Sequence, residues 1–175
     1  SIKAYVDGAL GSYGAWLQED YADNPGVKGQ TLVPVEMLAN LAVKAKSLGL
    51  QVCMHAIGDK GNNEVLIIYE KAGIGPENRW RIEHAQHLHR VDIPRFNALG
   101  VIASMQAIHC TSDAPFVVKR LGQERAKSSS YIWRSLLDAG VPAPPPQPRA
   151  RLRAHLRPRA RPPARRLRGP PPRLP

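Results

Sequence analysis

Apolar and polar positions along the first hundred and forty residues follow two alternating periods. "IKAYVDG" sets Ile2, Ala4 and Val6 against Lys3, Tyr5 and Asp7, the period of two expected of a strand with one buried face. After a long glycine-containing connection, "ALGSYGAWLQEDYADNPGVKG", the stretch "VPVEMLANLAVKAKSLGL" carries Met37, Leu38, Leu41, Ala42, Ala45 and Leu48 at helical spacing and stops at Gly49. "LQVCMHAIG" then reads as a strand, "NEVLIIYEKAG" as a helix closed by Gly73, and "RWRIEHAQ" as a strand. "VDIPRFNALG" reads as a helix closed by Gly100, "VIASMQ" as another strand, and "YIWRSLLDAG" as a last helix. Strands separated by single helices predict right-handed βαβ units around a parallel sheet, an α/β fold.

The ends of the predicted strands carry the reactive side chains. His55 closes one strand and His84 the next, twenty-nine residues on, which is close to the ~30-residue length of one βαβ unit. Met105-Gln106, with His109 soon after, closes "VIASMQAIH". Ligands of parallel α/β folds bind at the carboxyl ends of the strands, where loops converge over a rigid base. Two imidazoles on neighbouring strands ~4.8 Å apart can share one metal ion at ~2.0 to 2.1 Å from each nitrogen. A single histidine at a strand end is more often a hydrogen-bonded bystander, so the repeated placement carries the expectation. "EHAQHLHR" clusters His84, His87 and His89, but their spacing does not put them on one helical face, and His87 and His89 are expected to be solvated loop residues. Cys53, on the same strand as His55, reads as a structural thiol.

Composition changes the picture at one place. The 175 residues suffice for one ordinary domain, and no apolar segment approaches the ~18 to 20 residues of a membrane span. The N-terminus lacks the basic-then-apolar layout of a signal peptide, and the two cysteines, Cys53 and Cys110, are too few for a disulfide scaffold, so a cytoplasmic protein is expected. The net charge of +11 is unevenly placed: all fourteen acids and fifteen of the twenty-five Lys and Arg precede Val141, leaving that body near neutral. The remaining ten are arginines in "PAPPPQPRARLRAHLRPRARPPARRLRGPPPRLP" from Pro142 to Pro175, which has no acid, no aromatic and no apolar period. Residues 1–141 are thus expected to form the domain and residues 142–175 a disordered Pro/Arg-rich tail. Such a tail reads as a polybasic arm for nucleic acid or anionic surfaces, as a linker, or as out-of-frame translation, and its abrupt start after "SLLDAGV" favours the last.

"IKAYVDGALGS", "HAIGDKGNN", "RWRIEHAQ", "LGVIASMQAIHCTSD" and "YIWRSLLDAG", in this order, resemble the metal-dependent amidohydrolase superfamily, in particular its third family, which is similar to N-substituted formamide deformylases. The resemblance implies a (β/α)8 TIM barrel, of which this chain supplies about strands 4 to 7. It implies one or two divalent metals, usually zinc, activating water against a C–N bond of a small-molecule amide, N-formyl or cyclic amide substrate. Carried over by residue, it implies metal ligation by His55 and His84, and by Lys3 as a carboxylated bridge; the alternative for Lys3 is a strand cation paired with Asp7. It places His109, Asp113 and Asp7 near substrate, with Asp59 and Gln106 supporting the ligands. Asp59 is equally well explained as a helix N-cap after Gly58.

The family pattern also calls for a His-x-His pair after the first strand and an Asp in a Gly-Ser-Asp-x-Pro context after the eighth, and neither stands in this chain. "TSDAPF", with Asp113, mimics the latter but belongs to the seventh loop. The expectation is an incomplete enzyme, inactive alone. The competing expectation is a protein that binds nucleic acid or acidic surfaces non-specifically through residues 142–175; a third keeps the α/β body without catalysis.

Overall fold

The computed structural model describes residues 1–142; the tail expected over 142–175 lies, but for Pro142, outside the described residues. Four strands, β1 (Ile2–Tyr5), β2 (Val52–Ala56), β3 (Arg81–His84) and β4 (Ile102–Ser104), form one sheet in the order β1-β2-β3-β4, every pair parallel. Helices α1 (Val35–Ser47), α2 (Asp59–Lys71) and α3 (Ile93–Leu99) make the crossovers, and α4 (Ala107–Leu121), α5 (Gln123–Ser129) and α6 (Trp133–Asp138) follow β4. Right-handed crossovers between strands that never reverse order put the crossover helices on one side of the sheet, the winding of a (β/α)8 barrel segment and not of a doubly wound sheet.

The helix side holds the main core. Ala4 and Val6, Val52, Met54 and Ala56, Ile82 and Ala103 point into it from the strands, met by Leu38, Ala42 and Ala45 of α1, Val65, Leu66 and Tyr69 of α2 and Phe96 of α3. Met37 and Leu48, expected on the buried face of α1, are 64% and 58% exposed; the contact stripe is narrower than the apolar pattern. The glycines after α1, α2 and α3 have φ of +64°, +66° and +65°, left-handed turns that reverse the chain toward the next strand.

The segment after β4 departs from the sequence expectation. "TSDAPF", expected in the seventh loop, lies within the helix α4, with Pro115 inside it. Proline removes one helical N–H there, and the carbonyl it leaves without its helical donor belongs to the exposed Thr111. The helix is secured by the long connection after β1. Leu10, Ala15, Leu17 and Tyr21 of that connection pack with Ile57, Val117 and Leu121 as a second apolar cluster. Arg120 stacks 3.9 Å from the Tyr13 ring centroid, pairs with Asp23 and donates to the Gly11 carbonyl at 2.8 Å.

Candidate active site

The ladder between β1 and β2 aligns Tyr5 with His55, and the next ladder aligns His55 with Glu83 and Ala56 with His84. Side chains alternate along a strand, so a regular β3 would turn His84 away from the face that His55 occupies. The backbone prevents this: His84 and Ala85 have φ of +75° and +43°, two successive left-handed residues that are not glycine. The chain thereby swings the His84 imidazole beside that of His55, with ring centroids 4.5 Å apart. His109, at the start of α4, brings a third ring to within 5.4 Å of His84. Consecutive left-handed non-glycine residues cost of order 1–3 kcal/mol each and persist where surrounding contacts over-determine them, typically at functional sites.

His55 Nε2 and His84 Nδ1 are buried and have no hydrogen-bond partner. Burial, then His84 and Lys3, lowers the His55 pKa to about 4. Burial likewise lowers that of His84, with His109 and Lys3 adding to it and Gln106 opposing it. Both rings are therefore neutral near pH 7 and carry free lone pairs, the state in which imidazole ligates metal. Among the described residues no set of three or more His, Cys, Asp or Glu side chains converges on one point. The pair fits two of the four positions that tetrahedral zinc requires.

Asp7, expected near substrate, is engaged by backbone amides. It is fully buried, and its carboxylate accepts the backbone N–H groups of Trp16 at 2.9 Å, Ile57 at 2.9 Å and Gly58 at 2.8 Å. With both oxygens so engaged it binds the end of β1 to the end of β2, 3.7 Å from His55 Nε2 and too far to hydrogen-bond with it. Burial raises its pKa to about 6 and the three amides pull it back. "HAIGDKGNN" is built around this carboxylate. A Cβ on Gly61 would lie 2.7 Å from Asp7 Oδ2, and Gly58 lets the Trp16 backbone approach closely enough for its carbonyl to accept from Lys60 and Gly61 at 3.1 Å. Asn62 donates to the carbonyls of Gly58 at 2.8 Å and His87 at 3.2 Å. Asp59 is the first residue of α2, with Gly58 at the cap position, and its Oδ1 accepts from the Gln18 N–H at 3.0 Å across the connection.

Lys3 lies on the His55 face, opposite Cys53 and one pleat below the pair, its Nζ 5.2 Å from the Tyr5 ring centroid. It does not pair with Asp7, whose carboxylate is turned into the backbone amides. Burial lowers its pKa and Glu83 opposes that. Gln106 donates to the Ser104 carbonyl at 2.9 Å, leaving its Oε1 without a partner. Asp113 Oδ2 receives the Gln86 amide and the Tyr131 hydroxyl, both at 2.6 Å, so this oxygen faces the protein and not an open cleft.

His87 corrects the expectation of a solvated loop residue: it is 1% exposed, while His89 is exposed. Its Nδ1 lies 2.9 Å from Ser130 Oγ and its Nε2 3.2 Å from the Gln86 amide nitrogen. Since that amide nitrogen can only donate, Nε2 accepts and the proton sits on Nδ1, directed at Ser130. Burial lowers the His87 pKa to about 3, with Asp113 opposing. No local feature separates His87 from His89; the contact that buries it comes from forty-three residues away.

A pH dependence of stability follows. Between about pH 6.5 and 3 the unfolded chain binds a proton at His87 that the native state refuses, so stability is full above about 6.5 and falls on acidification, by about 1.4 kcal/mol per unit per proton. His55 and His84 act in the same direction. Asp7, raised to about 6, takes up its proton in the native state and opposes the fall between about pH 4 and 6. Asp59, whose pKa burial also raises, acts with Asp7, but two carboxylates do not offset three imidazoles, so urea denaturation of the metal-free protein should show lower stability at pH 5 than at pH 7. Equal or higher stability at pH 5 would contradict the burial of His87.

Residues 1–145 match the profile of the amidohydrolase family. The chain is 44% identical over 140 residues to Protein LONG AFTER FAR-RED 3 of Arabidopsis thaliana, covering 78% of this chain and 24% of that protein. It is 35% identical over 141 residues to YtcJ of Bacillus subtilis strain 168, which carries an amidohydrolase name, covering 81% and 26%. Two solved structures, both of uncharacterized metal-dependent hydrolases, superpose on it. The one from Pyrococcus furiosus does so at TM-score 0.72 with 37% identity over 79% of this chain and 28% of that one. The one from Pyrococcus horikoshii OT3 does so at 0.69 with 34% identity over 81% and 28%. The chain spans about a quarter of the length of these curated relatives. With a family profile spanning nearly all of the described residues, the chain belongs to the amidohydrolase family.

Proposed function

We propose that this chain forms part of the active site of a metal-dependent hydrolase acting on the C–N bond of a small non-peptide amide, an N-formyl compound or a cyclic amide. The observation that carries the reading is the pair of partnerless, neutral imidazole nitrogens of His55 and His84, turned to one another at the carboxyl ends of adjacent parallel strands. They would hold a divalent metal, with zinc assigned from the nitrogen donors and Lys3 the candidate to bridge a second ion. When bound, such an ion acidifies a coordinated water and polarises a substrate carbonyl.

The chain's own residues supply the frame. Asp7 and Asn62 fix the end of β2 and so orient His55; the left-handed turn at His84 aims the second ring; His109, whose ring lies beside that of His84, is our candidate to touch substrate. Asp7 spends both oxygens on three backbone amides, so we assign it to the frame and not to taking the proton of a bound water. We therefore expect the chain by itself not to turn over amides.

Zinc content after equilibrium dialysis tests the metal assignment. The wild-type chain should retain zinc, and His55→Ala and His84→Ala should each reduce retention at least tenfold. Zinc located by anomalous scattering away from both rings would refute the assignment. Both cysteines are free, and among the described residues no helix is long and apolar enough to cross a membrane. A reducing, cytoplasmic setting is proposed with the activity.

A further inference from the structure

A partly buried polar chain, with Gln86 and His87 at its buried end, runs behind His84 and serves neither the core nor the two ring nitrogens. The Tyr131 hydroxyl donates to Asp113 Oδ2, which also receives the Gln86 amide; the same Gln86 nitrogen contacts His87 Nε2, and His87 Nδ1 reaches Ser130. The backbone repeats the connection: Tyr131 N–H donates to the Gln86 carbonyl at 2.9 Å, and His87 N–H to the Ile57 carbonyl at 3.0 Å. Gln86 is therefore fixed through both its main chain and its side chain. Two residues upstream, the ladder to β2 fixes the end of β3 by pairing Ala56 with His84. Only Ala85 lies between His84 and Gln86, and His84 and Ala85 are the residues with positive φ that join the two fixed points. Left to itself that link would relax to ordinary extended backbone and carry the imidazole to the other face of the sheet.

We propose that Tyr131, Asp113 and Gln86 form a positioning latch that holds His84 in its left-handed conformation, with its imidazole facing His55. The latch rests on the metal-site reading for its purpose but not for its existence. It assigns Asp113 to orienting a ligand from behind instead of contacting substrate. It also joins α4, the turn before α6 and the end of β3 in one unit, so that His109 is registered against His84: the Tyr131 hydroxyl lies 3.1 Å from the His109 carbonyl as well.

The test uses the full chain and has two arms. In the metal-free protein, NMR should show a nuclear Overhauser contact between the His55 and His84 ring protons. Tyr131→Phe and Gln86→Leu should weaken or abolish it while far-UV circular dichroism stays native, and Asp113→Asn, which keeps an acceptor oxygen for both donors, should largely retain it. Absence of the contact in wild type, or its survival at full strength in both Tyr131→Phe and Gln86→Leu, would overturn the proposal. In the second arm, Co(II) is titrated and its visible d–d absorption followed. Tyr131→Phe should lower the affinity about tenfold, the lower end of the range for groups that orient metal ligands, with altered band intensity. A wild-type chain that binds no Co(II) would sink the metal reading, while the ring contact still decides the latch.

Discussion

Gly58→Ala should destabilise the protein by more than about 4 kcal/mol, the range in which single substitutions are exceptional and point to one identifiable conflict. A Cβ at position 58 would sit 2.5 Å from the carbonyl carbon of Trp16 and 2.6 Å from its nitrogen, closer still to its oxygen. These are main-chain atoms held from two sides, by Asp7 through the Trp16 N–H and by Lys60 and Gly61 through the Trp16 carbonyl. No rotamer change relieves the overlap; the connection after β1 must separate from the start of α2. Gly26→Ala is the informative control. Gly26 has φ of +83° and open space around it, so alanine there brings only the conformational penalty of a left-handed residue, about 1 kcal/mol. Urea denaturation of the two variants should therefore differ by several kcal/mol, and a Gly58→Ala protein as stable as Gly26→Ala would show that the close approach is not real.

The same contrast between local and long-range causes explains what could be read before the structure was known. The strand and helix sequence was legible because burial on one side imposes periods of two and 3.6, and the glycines ending α1, α2 and α3 mark turns that few other residues make. That His55 and His84 both stand at strand ends follows from counting one βαβ unit. That they face one another does not, because strand alternation predicts opposite faces and the turn at His84 is enforced by Gln86, Asp113 and Tyr131, the last forty-seven residues downstream. "TSDAPF" looks like a loop because Ser112, Asp113 and Pro115 favour turns locally; Arg120 against Tyr13 and Asp23 supplies the tertiary contact that makes it a helix. The bonds of Asp7 were illegible for a similar reason: the resemblance put it near substrate, and nothing in "YVDG" announces the three amides that converge on it from elsewhere in the chain.

Those three amides make Asp7 the second position where a large effect is expected. Asp7→Ala leaves the N–H groups of Trp16, Ile57 and Gly58 without acceptors in a fully buried site, at about 1–3 kcal/mol for each one that water does not reach, so a loss of about 4 kcal/mol is expected. Asp7→Asn should be nearly as damaging. Its carbonyl oxygen can serve the donors on one side, but its NH2 group must then face an N–H, donor against donor, where the carboxylate offered lone pairs on both oxygens. Hydrogen exchange separates this account from a general loss of packing: the Ile57 and Gly58 amides should lose protection in both variants by more than the amides of Ile68 and Tyr69 toward the far end of α2. Uniform loss across all four, or a change in stability below about 1 kcal/mol, would contradict it. Because Ile57 is joined directly to Ala56 and His55, releasing it frees the end of β2, so zinc retention should fall in Asp7→Asn even at temperatures where the protein remains folded.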